Sequence, residues 1–176
     1  MNSLIIKSMN YDNKQERAIF SNAGNFAVIT KLLSLGHNVL LGEYKRRKVI
    51  VGANPKSKDR YYELIIKTNN FGIENNKEFG EMLPWLMHKQ PTEDPKRKLF
   101  YCFVSINLKK DSFRYFIVPV DIVLKSSEAS FKYWVGRNVS RHDSGLRSFM
   151  IGLKGKNYPV ELPLEFEYED RWDLLK

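Results

Sequence analysis

Apolar side chains at positions 19, 20, 23, 26, 27 and 33 recur at helical spacing through residues 13–35. That stretch predicts an N-terminal helix, and Gly36 stands where a left-handed residue would end it. Gly24 interrupts the pattern and is tolerable only if another element packs closely there. The period then shortens. "HNVLL" (37–41), "KVIVGA" (48–53) and "RYYELIIKT" (60–68) read as strands. The turn cluster "NPKSKD" (54–59) makes a core hairpin of 48–68. Strands are also predicted at 98–107 and 113–120, with "KKDS" as their turn. Residues 121–135 predict a second helix capped by Asp121. Residues 69–82 read as irregular, and the chain beyond 135 as loop until "DRWDLL". Helices and strands in this order predict an α/β single domain over 1–176, with a central mixed sheet of about four or five strands flanked by helices.

Charge sharpens the picture. The chain of 176 residues carries a formal net charge of +9, unevenly placed. Residues 44–60 hold Lys45, Arg46, Arg47, Lys48, Lys56, Lys58 and Arg60 against Asp59, a net of +6. The acidic C-terminal segment 161–176 opposes this: over 161–173, six acidic residues face only Arg171, a net of −5. A basic body predicts a polyanionic partner or an acidic protein surface. Tyr44, Tyr61 and Tyr62 adjoin the basic run and could stack on bases, but Tyr61 and Tyr62 alternate in direction, so one of them packs inward. The polar stretch 137–148, with Arg137, Arg141, His142 and Arg147, could extend the phosphate-binding surface.

Several chemistries lack their residues. His37, His88 and His142 are far apart, and a single cysteine gives no zinc spacing. No Gly-x-Ser-x-Gly or phosphate-binding glycine loop is present. Cys102 lies in an apolar run and reads as a core residue. Trp85, Trp134 and Trp172 read as packing residues. Trp172 closes the core through the C-terminal segment, or else pins the acidic tail over the basic surface. No apolar run approaches the ~20 residues of a membrane span, and "LII" near the start is too short for a signal-peptide core. The expectation is a cytoplasmic protein with no membrane partner.

"NAGNFAVITKLLSLGHNVLL" followed by "KVIVGANPKSKDRYYELIIKTN" resembles small stand-alone members of the PD-(D/E)XK nuclease superfamily, the restriction-endonuclease-like fold. The resemblance rests on Gly24-Asn25-Phe26 in the helix and Ile65-Ile66-Lys67-Thr68 closing the hairpin, and extends over roughly residues 15–175. It implies a helix Glu, a strand Asp and a strand Glu or Gln holding Mg²⁺, with a lysine beside the attacked phosphate. Here those acidic positions fall on Asn25, on Val49 (or Lys48 if the register slips by one) and on Ile65; only Lys67 matches. Hard divalent cations need anionic oxygens. The resemblance therefore implies a nuclease-like protein with a degenerate site and no cofactor. It would bind nucleic acid, DNA ahead of RNA, or a protein of a nucleic-acid-processing system, through Lys45, Arg46, Arg47, Lys48, Lys56, Lys58, Arg60 and Lys67. One alternative is a divergent Mg²⁺ nuclease using Glu63 and Lys67, with Glu43 or Glu16 joining. Another is a protein-interaction module or inhibitor without nucleic-acid affinity.

Overall fold

The computed structural model describes residues 13–44, 47–53, 61–70, 72–88, 98–108, 110–138 and 140–175. The first helix, α1, spans Asn13–Ser34. It ends as the sequence predicts: Gly36 has φ +83°, its N–H donates to the Leu33 carbonyl, and the His37 N–H donates to the Leu32 carbonyl. Strands β1 (Asn38–Tyr44), β2 (Arg47–Ala53) and β3 (Tyr61–Asn69) form an antiparallel meander. After β3 come the short β4 (Glu74–Asn76) and β5 (Gly80–His88), then β6 (Leu99–Asn107) and β7 (Ser112–Pro119). Helix α2 (Val120–Gly136), β8 (Leu146–Gly152), a one-turn α3 (Glu165–Tyr168) and a 3-10 turn (Trp172–Leu174) complete the chain.

The central sheet has five strands in the order β1-β2-β3-β6-β7, mixed because β6 runs parallel to β3 and antiparallel to β7. A second sheet, β4-β5-β8, lies against it. The sequence reading left 69–82 and the chain beyond 135 irregular; β4, β5 and β8 replace much of that. Leu83, Trp85 and Met87 of β5 and Phe149 and Ile151 of β8 pack onto Val49, Ile65, Tyr101, Phe103, Phe116 and Val118 of the central sheet. Phe149 and Phe103 stack at 4.2 Å between ring centroids. The opposite face buries Val28 and Leu32 of α1 against Ile50, Tyr62, Leu64, Cys102, Val104 and Ile117, and Trp172 and Leu175 close the end. The C-terminal segment thus completes the core. β6 is buried on both faces, which accounts for its nearly continuous apolar sequence.

Two local expectations need correction. Asp121 is not the cap of α2: the helix starts at Val120 with Pro119 at the N-cap, and Asp121 lies in the first turn, where its negative charge interacts favourably with the positive end of the helix dipole. The buried line of α1 runs through Gly24, Val28 and Leu32, whereas Ile19, Phe26 and Leu33 are exposed. No described helix is long and apolar enough to cross a membrane.

Candidate nucleic-acid interface

β3 alternates cleanly. Tyr62, Leu64, Ile66 and Thr68 face α1; Glu63, Ile65, Lys67 and Asn69 face the second sheet. Thr68 presses so closely on α1 that a Cβ on Gly24 would overlap its hydroxyl. A glycine at 24 is thus required by the close approach of strand and helix. Tyr62 is buried over Gly52, where a Cβ would strike its ring, and its hydroxyl lies 2.8 Å from His37 Nδ1. Burial lowers the His37 pKa from its usual value and raises that of the Tyr62 hydroxyl. Tyr61, by contrast, is 66% exposed, so Tyr61 is the one available for stacking.

Lys67 lies at the C-terminal end of β3, in register with Phe103 of β6. It lines a cleft of about 430 Å³ with Arg17 and Phe20 of α1, Asn69, Asn70, Glu74 and Trp85. Asn69 Nδ2 donates to the Pro84 carbonyl at 2.6 Å, which orients its amide. The Asn69 Oδ1 and Thr68 Oγ1 atoms behind the cleft have no partner among the described residues, leaving unspent polar capacity there. Arg17, a second cation at this cleft, had no motif to announce it. Only the docking of α1 on β3 brings it beside Lys67.

Two of the three positions where the resemblance implies carboxylates are apolar and packed. Val49 and Ile65 are each 3% exposed, inside the cluster that joins the two sheets. The β2–β3 ladder runs from Ala53↔Tyr61 to Ile50↔Leu64, and beyond it β2 pairs with β1 and β3 with β6. Asn25 and Val49 meet at this parting, lining a cavity of about 100 Å³ with Phe26, Leu41 and Ile66. Two neutral amides, Asn25 and Asn22, among hydrocarbon do not fit a divalent cation. Glu63 is four residues before Lys67, about 13 Å along the strand, and does not line the Lys67 cleft. Among the described residues no three His, Cys, Asp or Glu side chains converge as a metal site would need.

Of the basic run, Lys45, Arg46, Lys56, Lys58 and Arg60 lie outside the described residues, and Arg47 and Lys48 are described only as the first residues of β2. The Glu43 and Glu16 side chains are also outside the description. The run is divided in sequence by β2, a strand about 20 Å long: Lys45 to Lys48 lie at its start and Lys56 to Arg60 come after its end. The acidic segment is held at the other side of the sheet. Arg114 of β7 donates to Glu169 at 2.6 and 2.7 Å and to Glu165 at 2.7 Å. These bonds raise the Arg114 pKa and lower that of Glu165. β7 and β1 are opposite edges of the central sheet, so the tail is tied to the edge farther from β1. Within 137–148, two of the arginines are committed to carboxylates. Arg141 pairs with Glu78 at 2.7 Å; Arg147, 3% exposed, pairs with Glu128 and Asp143 and lies over the Phe131 ring.

No protein-family model matches the chain, and a search of curated proteins gave no match. Among solved structures the chain is similar to the bacterial homing endonuclease I-Ssp6803I, at 14% identity and a TM-score of 0.47, over 89% of this chain and 90% of that one.

Proposed function

We propose that this protein is a nuclease-like domain that binds DNA without cutting it, through the basic hairpin and the Lys67 cleft. The observation that carries the reading is the pairing of a polar cleft holding Lys67 and Arg17 beside Glu74 with dense apolar packing at Val49 and Ile65. The cleft offers Lys67 and Arg17 to a backbone phosphate. The packed positions offer no oxygen to a metal that would activate water. Lys45, Arg46, Arg47 and Lys48 gather in sequence at the start of β2, the neighbour of β3 in the central sheet. Exposed Tyr61, at the opposite end of β3, adds an aromatic face near Lys56, Lys58 and Arg60.

The test is a titration of labelled single- and double-stranded DNA at two salt concentrations, with and without Mn²⁺, reading binding and cleavage together. The expected result is salt-sensitive binding, duplex at least as well as single strand, and intact DNA in every lane. Mn²⁺-dependent cleavage abolished in Glu63→Ala and Lys67→Ala would replace this reading with the divergent nuclease. No binding at physiological salt would replace it with a protein partner.

A further inference from the structure

We infer that the Lys67 cleft and the pocket beside it bind one nucleotide unit, its phosphate at Lys67 and Arg17, its sugar at Glu74 and its base between α2 and the second sheet. The inference rests on the reading of the Lys67 cleft as a phosphate site and names what that phosphate carries. The pocket, of about 350 Å³, lies between Phe131 and Trp134 of α2 and Met82 and Met150 of the second sheet. That volume is at the lower end of those that hold small organic ligands. Pocket and cleft are contiguous, because Glu74, Pro84, Leu86 and Ser148 line both. Leu86 and Ser148 are partners across β5 and β8, so one groove runs over the second sheet at that pair.

The two ends of the groove differ in chemistry. The cleft end presents Lys67 and Arg17. The pocket end is largely apolar, and the one cation that lines it is balanced: Arg147 is met by Glu128 at 3.0 Å and Asp143 at 2.9 Å. A neutral ring suits that end and an anion the other. The aromatic walls are fixed in advance. The Arg147 guanidinium lies 3.5 Å from the centre of the Phe131 ring, and that of Arg141 4.5 Å from the Trp134 ring. Rings held in this way lose little freedom when a base packs on them. Ser130 lines the pocket at 3% exposure, and its hydroxyl has no hydrogen-bond partner among the described residues. A buried hydroxyl left unmet is uncommon, and the donors and acceptors on a base edge would satisfy it. Glu74, common to both ends, is a carboxylate placed to accept from a sugar hydroxyl. An anion, a hydroxyl-bearing link and a flat apolar ring, in that order, are the parts of a nucleotide.

Calorimetric titration of the full chain with the four ribonucleoside 5′-monophosphates, and with the matching nucleosides, tests this. At least one monophosphate is expected to bind, about 10-fold or more tighter than its nucleoside. Combining Lys67→Gln with Arg17→Gln is expected to remove that difference and leave nucleoside binding in place. Trp134→Ala is expected to weaken monophosphate and nucleoside alike by about 10-fold. Leu86→Glu sets a carboxylate at the junction and is expected to weaken the monophosphate by about 10-fold, with an unchanged circular dichroism spectrum because the position is 68% exposed. A trinucleotide that displaces the bound monophosphate makes the ligand a strand end; one that does not makes it a free nucleotide, and the inference holds in both cases. No monophosphate binding at millimolar concentration overturns it, as does binding that Trp134→Ala and Leu86→Glu leave intact. Duplex binding that persists while every monophosphate fails overturns this inference alone. Loss of both overturns the phosphate reading of the cleft as well.

Discussion

Gly24 and Thr68 are the tightest meeting of helix and strand, and their contact fixes how α1 carries Arg17 to the Lys67 cleft. Gly24→Ala is expected to destabilise by about 1–3 kcal/mol, the usual cost of overpacking, despite alanine's better helix propensity. Adding Thr68→Ala is expected to recover most of that loss, a coupling that urea unfolding of both singles and the double would measure. His37 gives a second residue-scale prediction. Its pKa is lowered in the fold, so the unfolded chain takes up the proton first as pH falls. Stability is then fully present above the unfolded value near 6.5 and lost as pH drops from there toward the folded pKa. One proton limits the slope to about 1.4 kcal/mol per pH unit. Thermal melts between about pH 7 and pH 5 are expected to show a shallower decline for His37→Gln than for wild type.

Elements differ in how openly the sequence announces them. α1, β1 to β3, β6, β7 and α2 follow their periodicity to within a few residues at each end. β5 and β8 do not, for identifiable reasons. Pro84 interrupts β5, yet it lies beyond the reach of β4, whose pairing with β5 covers only Gly80 to Met82, so that side of the strand needs no N–H donor. β8 carries Arg147 inward among apolar residues, and only Glu128, Asp143 and the Phe131 ring make that burial tolerable. The C-terminal segment depends on a similar arrangement. Arg114 holds Glu165 and Glu169 while Trp172 enters the core beside Tyr115. Arg114→Ala is expected to cost about 1–2 kcal/mol, at the lower end for charged hydrogen bonds because the pair is partly exposed. Hydrogen exchange would show it first in residues 165–175, with the central sheet still protected.

Across the whole molecule, charge is divided by the sheet. The acidic segment is tied to β7 at one edge, and β2, which the basic run flanks in sequence, lies next to the other. Replacing Lys45, Arg46, Arg47 and Lys48 by Gln is expected to flatten the plot of log affinity against log salt by up to about 3.6, one phosphate per residue at ~0.9 each. Lys67→Gln is expected to flatten it by about 0.9, because it contributes one cation. Equal slopes for wild type and the fourfold variant would place the binding surface elsewhere.

Local pattern by itself determined the principal helices, the hairpin, the core role of Cys102, that one of Tyr61 and Tyr62 turns inward, and the placing of Lys67 at a strand end. Each follows from alternation, helical spacing or a turn residue, which a short window of sequence contains. Tertiary structure alone decided that Val49 and Ile65 meet a second sheet, that Arg17 stands beside Lys67, and that Arg141 and Arg147 are committed to carboxylates. It also left Phe26, Leu40 and Leu41 exposed. These outcomes depend on which elements become neighbours, and partners distant in sequence are specified by the packing of the whole chain rather than by any segment of it.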